Sequence, residues 1–192
     1  MKIEQIYTGC LAQGAYYIES KGEVAIIDPL REVTPYLKKA KTDGAQIKYI
    51  FETHFHADFV SGHVTLSQKT GAPIIYGPTA KTTFESLIAY DGQRFPLGDI
   101  TIIALHTPGH TQESTTYLLQ DRDGKDHAIF SGDTFRYSFS SSFSPRPFWV
   151  KPGPGTSTFG FESMKENMDF PSEVAYSFDA RALSRADVAI SL

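Results

Sequence analysis

Three short stretches of the chain concentrate residue types that bind metal ions. The first runs Thr53-His54-Phe55-His56-Ala57-Asp58-Phe59-Val60-Ser61-Gly62-His63. The second is His106-Thr107-Pro108-Gly109-His110-Thr111, and the third is Ser131-Gly132-Asp133-Thr134. Neutral imidazoles and a carboxylate are the usual donors for zinc or iron. Each stretch follows an apolar run that reads as a strand, at 47–51, 100–105 and 127–130. In an α/β sheet, groups just beyond the strand ends meet at one rim, where ligands bind. His54 and His56 alternate, so an extended chain would turn both toward one centre. The remaining histidines have plainer readings. His63 falls within a predicted helix, His106 reads as a solvent-facing strand end, and His127 follows a charged turn. Cys10 reads as a small buried residue with no identifiable partner.

The elements that must carry these stretches alternate between strand and helix. Residues 15–19 and 23–28 are β-type runs split by Lys21-Gly22, a hairpin signal. Residues 33–41 have helical spacing, with Thr34-Pro35 near the start and Gly44 after the end. A second helix is expected over 60–70, closed by Gly71, and further strands at 74–76 and 115–119. Asp123-Gly124 turns the strand at 115–119 into the one at 127–130. Hairpins mixed with crossover helices predict a layered α/β fold with mixed sheets.

The chain has 192 residues, 41% hydrophobic and 21% charged, which suits one globular domain. A net charge of -4 without any Lys/Arg cluster argues against nucleic acid as a partner. No apolar run approaches the length of a membrane span, and the first residues show no secretory signal. A single cysteine excludes an internal disulfide and any multi-cysteine metal site, so a cytoplasmic location is expected.

The three metal-binding stretches together resemble the metallo-β-lactamase superfamily. Within it, residues 52–63 are similar to the persulfide dioxygenases, as are Thr8-Gly9-Cys10-Leu11-Ala12-Gln13 and Ile27-Asp28-Pro29. The likeness covers about residues 3–134. It implies an αββα sandwich of two mixed sheets and a mononuclear non-haem Fe(II) site, one ion per chain. The ligands it implies are His54, His110 and Asp133, with His56 and Asp58 beside the metal as groups that orient them. The implied reaction is oxidation of a thiol persulfide, such as glutathione persulfide, by O2 to sulfite and the thiol.

One substitution sets this reading apart from its main alternative, a zinc thiolester hydrolase of the glyoxalase II type. Binuclear hydrolases of that type carry a second histidine directly after the aspartate of the first motif; this chain has Phe59 there. An apolar ring offers no ligand atom, so one ion is expected. A sulfurtransferase, where one takes part, is expected as a separate protein.

Residues 135–192 change character. They are rich in serine and phenylalanine, with Pro145, Pro147, Pro152 and Pro154 closely spaced. They are read as a divergent C-terminal part of the domain whose core is 1–134, with the second half of the sandwich incomplete and weak helices at 161–167 and 181–190. Apolar edges left by an incomplete sheet would favour a homodimer. A non-catalytic or defective truncated homologue is the remaining alternative.

Overall fold

The computed structural model describes residues 1–8, 13–135 and 149–150. Cys10, residues 136–148 and the two helices expected in the tail lie outside the described residues.

Two sheets face each other. The first holds β1 (Lys2–Thr8), β2 (Gln13–Ser20), β3 (Glu23–Ile27), β4 (Gln46–Phe51), β5 (Ile74–Tyr76) and β6 (Leu87–Ile88), in that order. β1 to β3 pair antiparallel, and β3 to β6 pair parallel. The second holds β7 (Arg94–Leu97), β8 (Ile100–His106), β9 (Thr115–Gln120), β10 (Asp126–Phe130) and β11 (Trp149–Val150). Its described strands are antiparallel throughout, so of the two sheets expected to be mixed only the first combines both pairings.

Side-chain alternation along β2 builds both layers of core. Tyr16 and Ile18 point between the sheets, where they meet Phe51, Phe95, Ile102, Tyr117 and Phe130. Ala15 and Tyr17 point the other way, onto Tyr36 and Ala40 of α1 (Thr34–Thr42) and Leu66 of α2 (His63–Thr70). A strand buried on both faces reads as a continuous apolar run, as in the Val-Ala-Ile-Ile stretch of β3. Each large side chain so buried contributes about 1.5–3 kcal/mol. The phenyl ring of Phe51 packs within 5.2 Å of Phe95 and 4.7 Å of Tyr117, which locks the two sheets together beneath the end of β4.

Most expected elements are present, with a few differences. The expected helix from residue 60 starts at His63. The Ser61 hydroxyl lies within hydrogen-bond distance of the Pro29 carbonyl and of Glu52, and the Gly62 amide donates to Pro29, which holds these residues out of the helix. β1 was not expected; its apolar residues are too few to mark a strand without β2 beside it. β6 and β7 were also missed. β6 has two residues, and β7 contains Pro96, which suits an edge strand.

Candidate metal centre

The end of β4 is held from both sheets. The Glu52 amide donates to the Ile75 carbonyl at 2.9 Å, and the Glu52 carbonyl accepts the Tyr117 hydroxyl at 2.9 Å. The Thr53 carbonyl accepts the Thr115 amide at 2.8 Å. His54 follows directly and is buried.

His110 sits on the loop between β8 and β9. That loop is closed by the Thr107 amide on the Ser114 carbonyl at 2.9 Å and the Thr111 amide on Ser114 Oγ at 3.0 Å. Asp133 lies in a 3-10 turn, Gly132–Phe135, immediately after β10. Gly132 has a φ of +52°, and a Cβ there would stand 2.4 Å from Thr53 Oγ1. Only glycine fits this conformation and this approach, which brings the third strand end against the first.

These three strand ends converge. One ligand atom each from His54, His110 and Asp133 lies within 4.8 Å of the others. His110 Nε2 is 3.6 Å from Asp133 Oδ2, and the His54 and His110 rings stand edge to face at 4.8 Å. His54 is buried, His110 exposed and Asp133 half-buried, so the cluster opens to solvent on one side. Burial, with the neighbouring His56 next, holds His54 below the ordinary imidazole value, in the neutral form a metal requires. Two imidazoles and one carboxylate at this spacing fit a single zinc or iron ion with open positions.

His56 does not aim at this cluster. Its ring packs 4.1 Å from that of His54, but Nε2 lies 3.1 Å from Asp28 Oδ1 and 3.5 Å from Glu52 Oε2. The chain after Thr53 turns instead of running extended, so alternation no longer sends both rings to one point. Burial works against protonation of His56, yet Asp28 and Glu52 outweigh it and raise the imidazole to about 9. The partner carboxylate of Asp28 stays below its ordinary value: burial opposes this, and the His56 charge overcomes it. Glu52 is fully buried and pushed upward by that burial. Asp28, Glu52 and His56 also bring ligand atoms within 4.8 Å, but the imidazolium between two carboxylates accounts for that grouping.

Asp58 is exposed, and its charge adds to those that raise His56. Phe59 packs its ring 4.4 Å from that of His56. His63 begins α2 and places Nδ1 3.4 Å from Glu52 Oε1. His106 is half-buried, with Nε2 2.8 Å from the Gln112 carbonyl, where a solvent-facing side chain was expected. His127 is likewise half-buried.

Sequence reasoning missed the supporting carboxylates Asp28, Glu52 and Glu113. Glu113 accepts the Phe55 amide at 2.9 Å and so fixes the residue after His54. The signal for Glu52 is its alternation with His54 and His56; for Asp28 it is a carboxylate between the apolar Val-Ala-Ile-Ile run and Pro29.

The fold and site together define a class. A family model described as the Metallo-beta-lactamase superfamily matches residues 8–169, and the chain belongs to that superfamily. Its similarity to a metallo-beta-lactamase from Staphylococcus aureus subsp. aureus COL is structural as well as sequential. The TM-score is 0.64 and the identity 34%, over 69% of this chain and 43% of that one. The ETHE1 structure from Myxococcus xanthus shares the fold, with a TM-score of 0.57 and 24% identity over 62% of this chain and 54% of that one. Among curated proteins, the cytoplasmic hydroxyacylglutathione hydrolase of Arabidopsis thaliana is 33% identical over 139 residues, 70% of this chain and 53% of its own length. A probable hydroxyacylglutathione hydrolase of Schizosaccharomyces pombe is 34% identical over 119 residues, 60% of this chain and 45% of its own length. The chain thus spans about half the length of the curated relatives it matches. No helix among the described residues is long and apolar enough to cross a membrane.

Proposed function

We propose that His54, His110 and Asp133 hold one metal ion, Fe(II) by preference, and that the enzyme oxidises a thiol persulfide of the glutathione type with O2 and one water, giving sulfite, the thiol and two protons. The observation that carries this reading is the composition of the cluster. Two imidazoles and a carboxylate converge, while His56 is engaged by Asp28 and Glu52 and Phe59 offers no donor. That supports one ion with free positions over a pair bridged by hydroxide.

When bound, Fe(II) supplies sites at which O2 and a soft sulfur anion can sit side by side. The chain's residues perform the rest. Buried His54 presents a neutral ring, and His110 and Asp133 complete the grip from the open side. The charge of His56 stays tied to Asp28 and Glu52, which keeps it from competing for an anionic substrate.

A second reading is zinc-dependent thiolester hydrolysis at the same residues. It is favoured by the hydroxyacylglutathione hydrolases among the relatives, which as names weigh more toward a hydrolase than toward a dioxygenase. The two separate cleanly. Protein purified without oxygen is loaded with Fe(II) or zinc, then assayed for O2 uptake with glutathione persulfide and for hydrolysis of a hydroxyacylglutathione. O2 uptake in the iron form alone supports the dioxygenase. Hydrolysis without uptake would put the hydrolase first. No turnover of either, with an ion bound, would favour a non-catalytic homologue.

A further inference from the structure

We propose that Asp28, acting through the Thr53 hydroxyl, is a positioning residue that sets the tautomer of His54 and leaves Nε2 free to face an ion. The tautomer stands on the hydrogen-bond geometry alone; its use for metal rests on the reading above.

Asp28 is held in a costly conformation. It is 4% exposed and has a φ of +48°, in the left-handed region that few side chains enter, immediately before Pro29. Such strain persists where surrounding contacts demand it. Here Asp28 Oδ1 accepts the Thr53 amide at 2.8 Å, and Oδ2 accepts the Thr53 hydroxyl at 2.8 Å. Both contacts go to the residue that precedes His54.

The Thr53 hydroxyl has a single hydrogen, and an ionised carboxylate can only accept. That hydrogen therefore points at Asp28. Toward His54 Nδ1, 3.0 Å away, Thr53 Oγ1 presents a lone pair. A bare Nδ1 would set two buried lone pairs against each other, so Nδ1 carries the proton and Nε2 does not. The opposite arrangement, with Thr53 donating to Nδ1, would leave its oxygen facing Asp28 Oδ2 without a hydrogen between them. Thr53 is also confined sterically. Its Oγ1 occupies the space that a Cβ on residue 132 would need, and a β-branched side chain has few rotamers to choose from. Partners on the far nitrogen of a ligating histidine fix both its tautomer and its ring orientation.

The test uses protein with 15N-labelled histidine, stripped of metal, with His54 assigned against a His54→Gln variant. Long-range proton–nitrogen spectra should show His54 as the Nδ1–H tautomer. Thr53→Val keeps the shape and removes the hydroxyl, and should lose that preference. Thr53→Ser keeps the hydroxyl and should retain it. Asp28→Ala releases the hydroxyl hydrogen toward Nδ1 and should also lose the preference; if it does not fold, Thr53→Val carries the test. In chelator competition, Thr53→Val should bind zinc roughly 10- to 100-fold more weakly, with Thr53→Ser restoring affinity. An Nε2–H tautomer in the unaltered protein, or an unchanged one in Thr53→Val, would overturn the proposal. The expected tautomers in a protein that takes up no ion would sink the metal reading and leave Asp28 as the residue that sets His54.

Discussion

The Tyr117 hydroxyl reaches across the sandwich to the carbonyl of Glu52, 2.9 Å away and fully buried. It ties β9 of the second sheet to the residue two before His54, so the first candidate ligand is positioned by a strand of the opposite layer. Replacing Tyr117 with Phe keeps the packing against Phe51 and leaves a buried carbonyl without this donor. Urea unfolding should show a loss of about 1–3 kcal/mol. Zinc affinity should fall with it, because the turn into His54 loses an anchor. Unchanged stability would mean that the bond carries no net weight.

Gly132→Ala should be more damaging than its size suggests. A left-handed φ costs alanine about 1–2 kcal/mol, and here the added methyl also meets Thr53. Gly124→Ala is the comparison, since φ is +74° there with nothing within 4 Å. We expect Gly124→Ala to show the backbone cost alone, and Gly132→Ala to exceed it by about 1 kcal/mol or more while weakening ion binding. Equal losses in thermal unfolding would rule out the Thr53 contact as a constraint.

His110→Ala and Asp133→Asn should each abolish near-stoichiometric ion binding, measured by elemental analysis of the desalted protein. Lys48→Ala should leave it unchanged. Lys48 lies toward the opposite end of β4, where it pairs with Glu23 at 2.8 Å. Loss of loading in Lys48→Ala would show that the assay reports folding and not the site.

At that far pole, Glu23 accepts from Lys48 and from the Gly98 amide, which joins β3 to the turn after β7. The Lys48 hydrogen bond first, and then the Gly98 amide, lower the Glu23 pKa. A lowered carboxylate contributes stability above its unfolded value, and the contribution disappears as pH falls through the folded one. Glu23→Gln should therefore cost stability near neutral pH and flatten the decline below about pH 4.5. The effect should stay under about 1 kcal/mol, because the pair is solvent-exposed. A steeper acid decline in the variant would contradict the sign.

The strands that end at the site were legible as apolar runs, because their site-proximal ends are buried: Val24 to Ile27 in β3 and Ile50 and Phe51 in β4. The three converging donors were legible too, since each lies within a few residues of the end of such a run and strand ends share a rim. The start of α2 was not, because the bonds from Ser61 and Gly62 to Pro29 override local helical spacing. Nor were β1, β6 and β7, whose short or polar stretches become strands only when a neighbour supplies the hydrogen bonds.

His54 and His56 mark the limit most sharply. Their spacing alone puts two imidazoles two residues apart and says nothing of where each nitrogen points. Asp28, separated by a helix and a strand, draws one of them into an ion pair and, through Thr53, orients the other. Such assignments depend on a buried carboxylate finding its partners at hydrogen-bond distance, and only the packed sandwich brings residue 28 to residues 53 and 56. Local sequence supplied the donors for the site; the tertiary structure decided which of them face one another, because a hydrogen bond is set by ångström-scale position and not by separation along the chain.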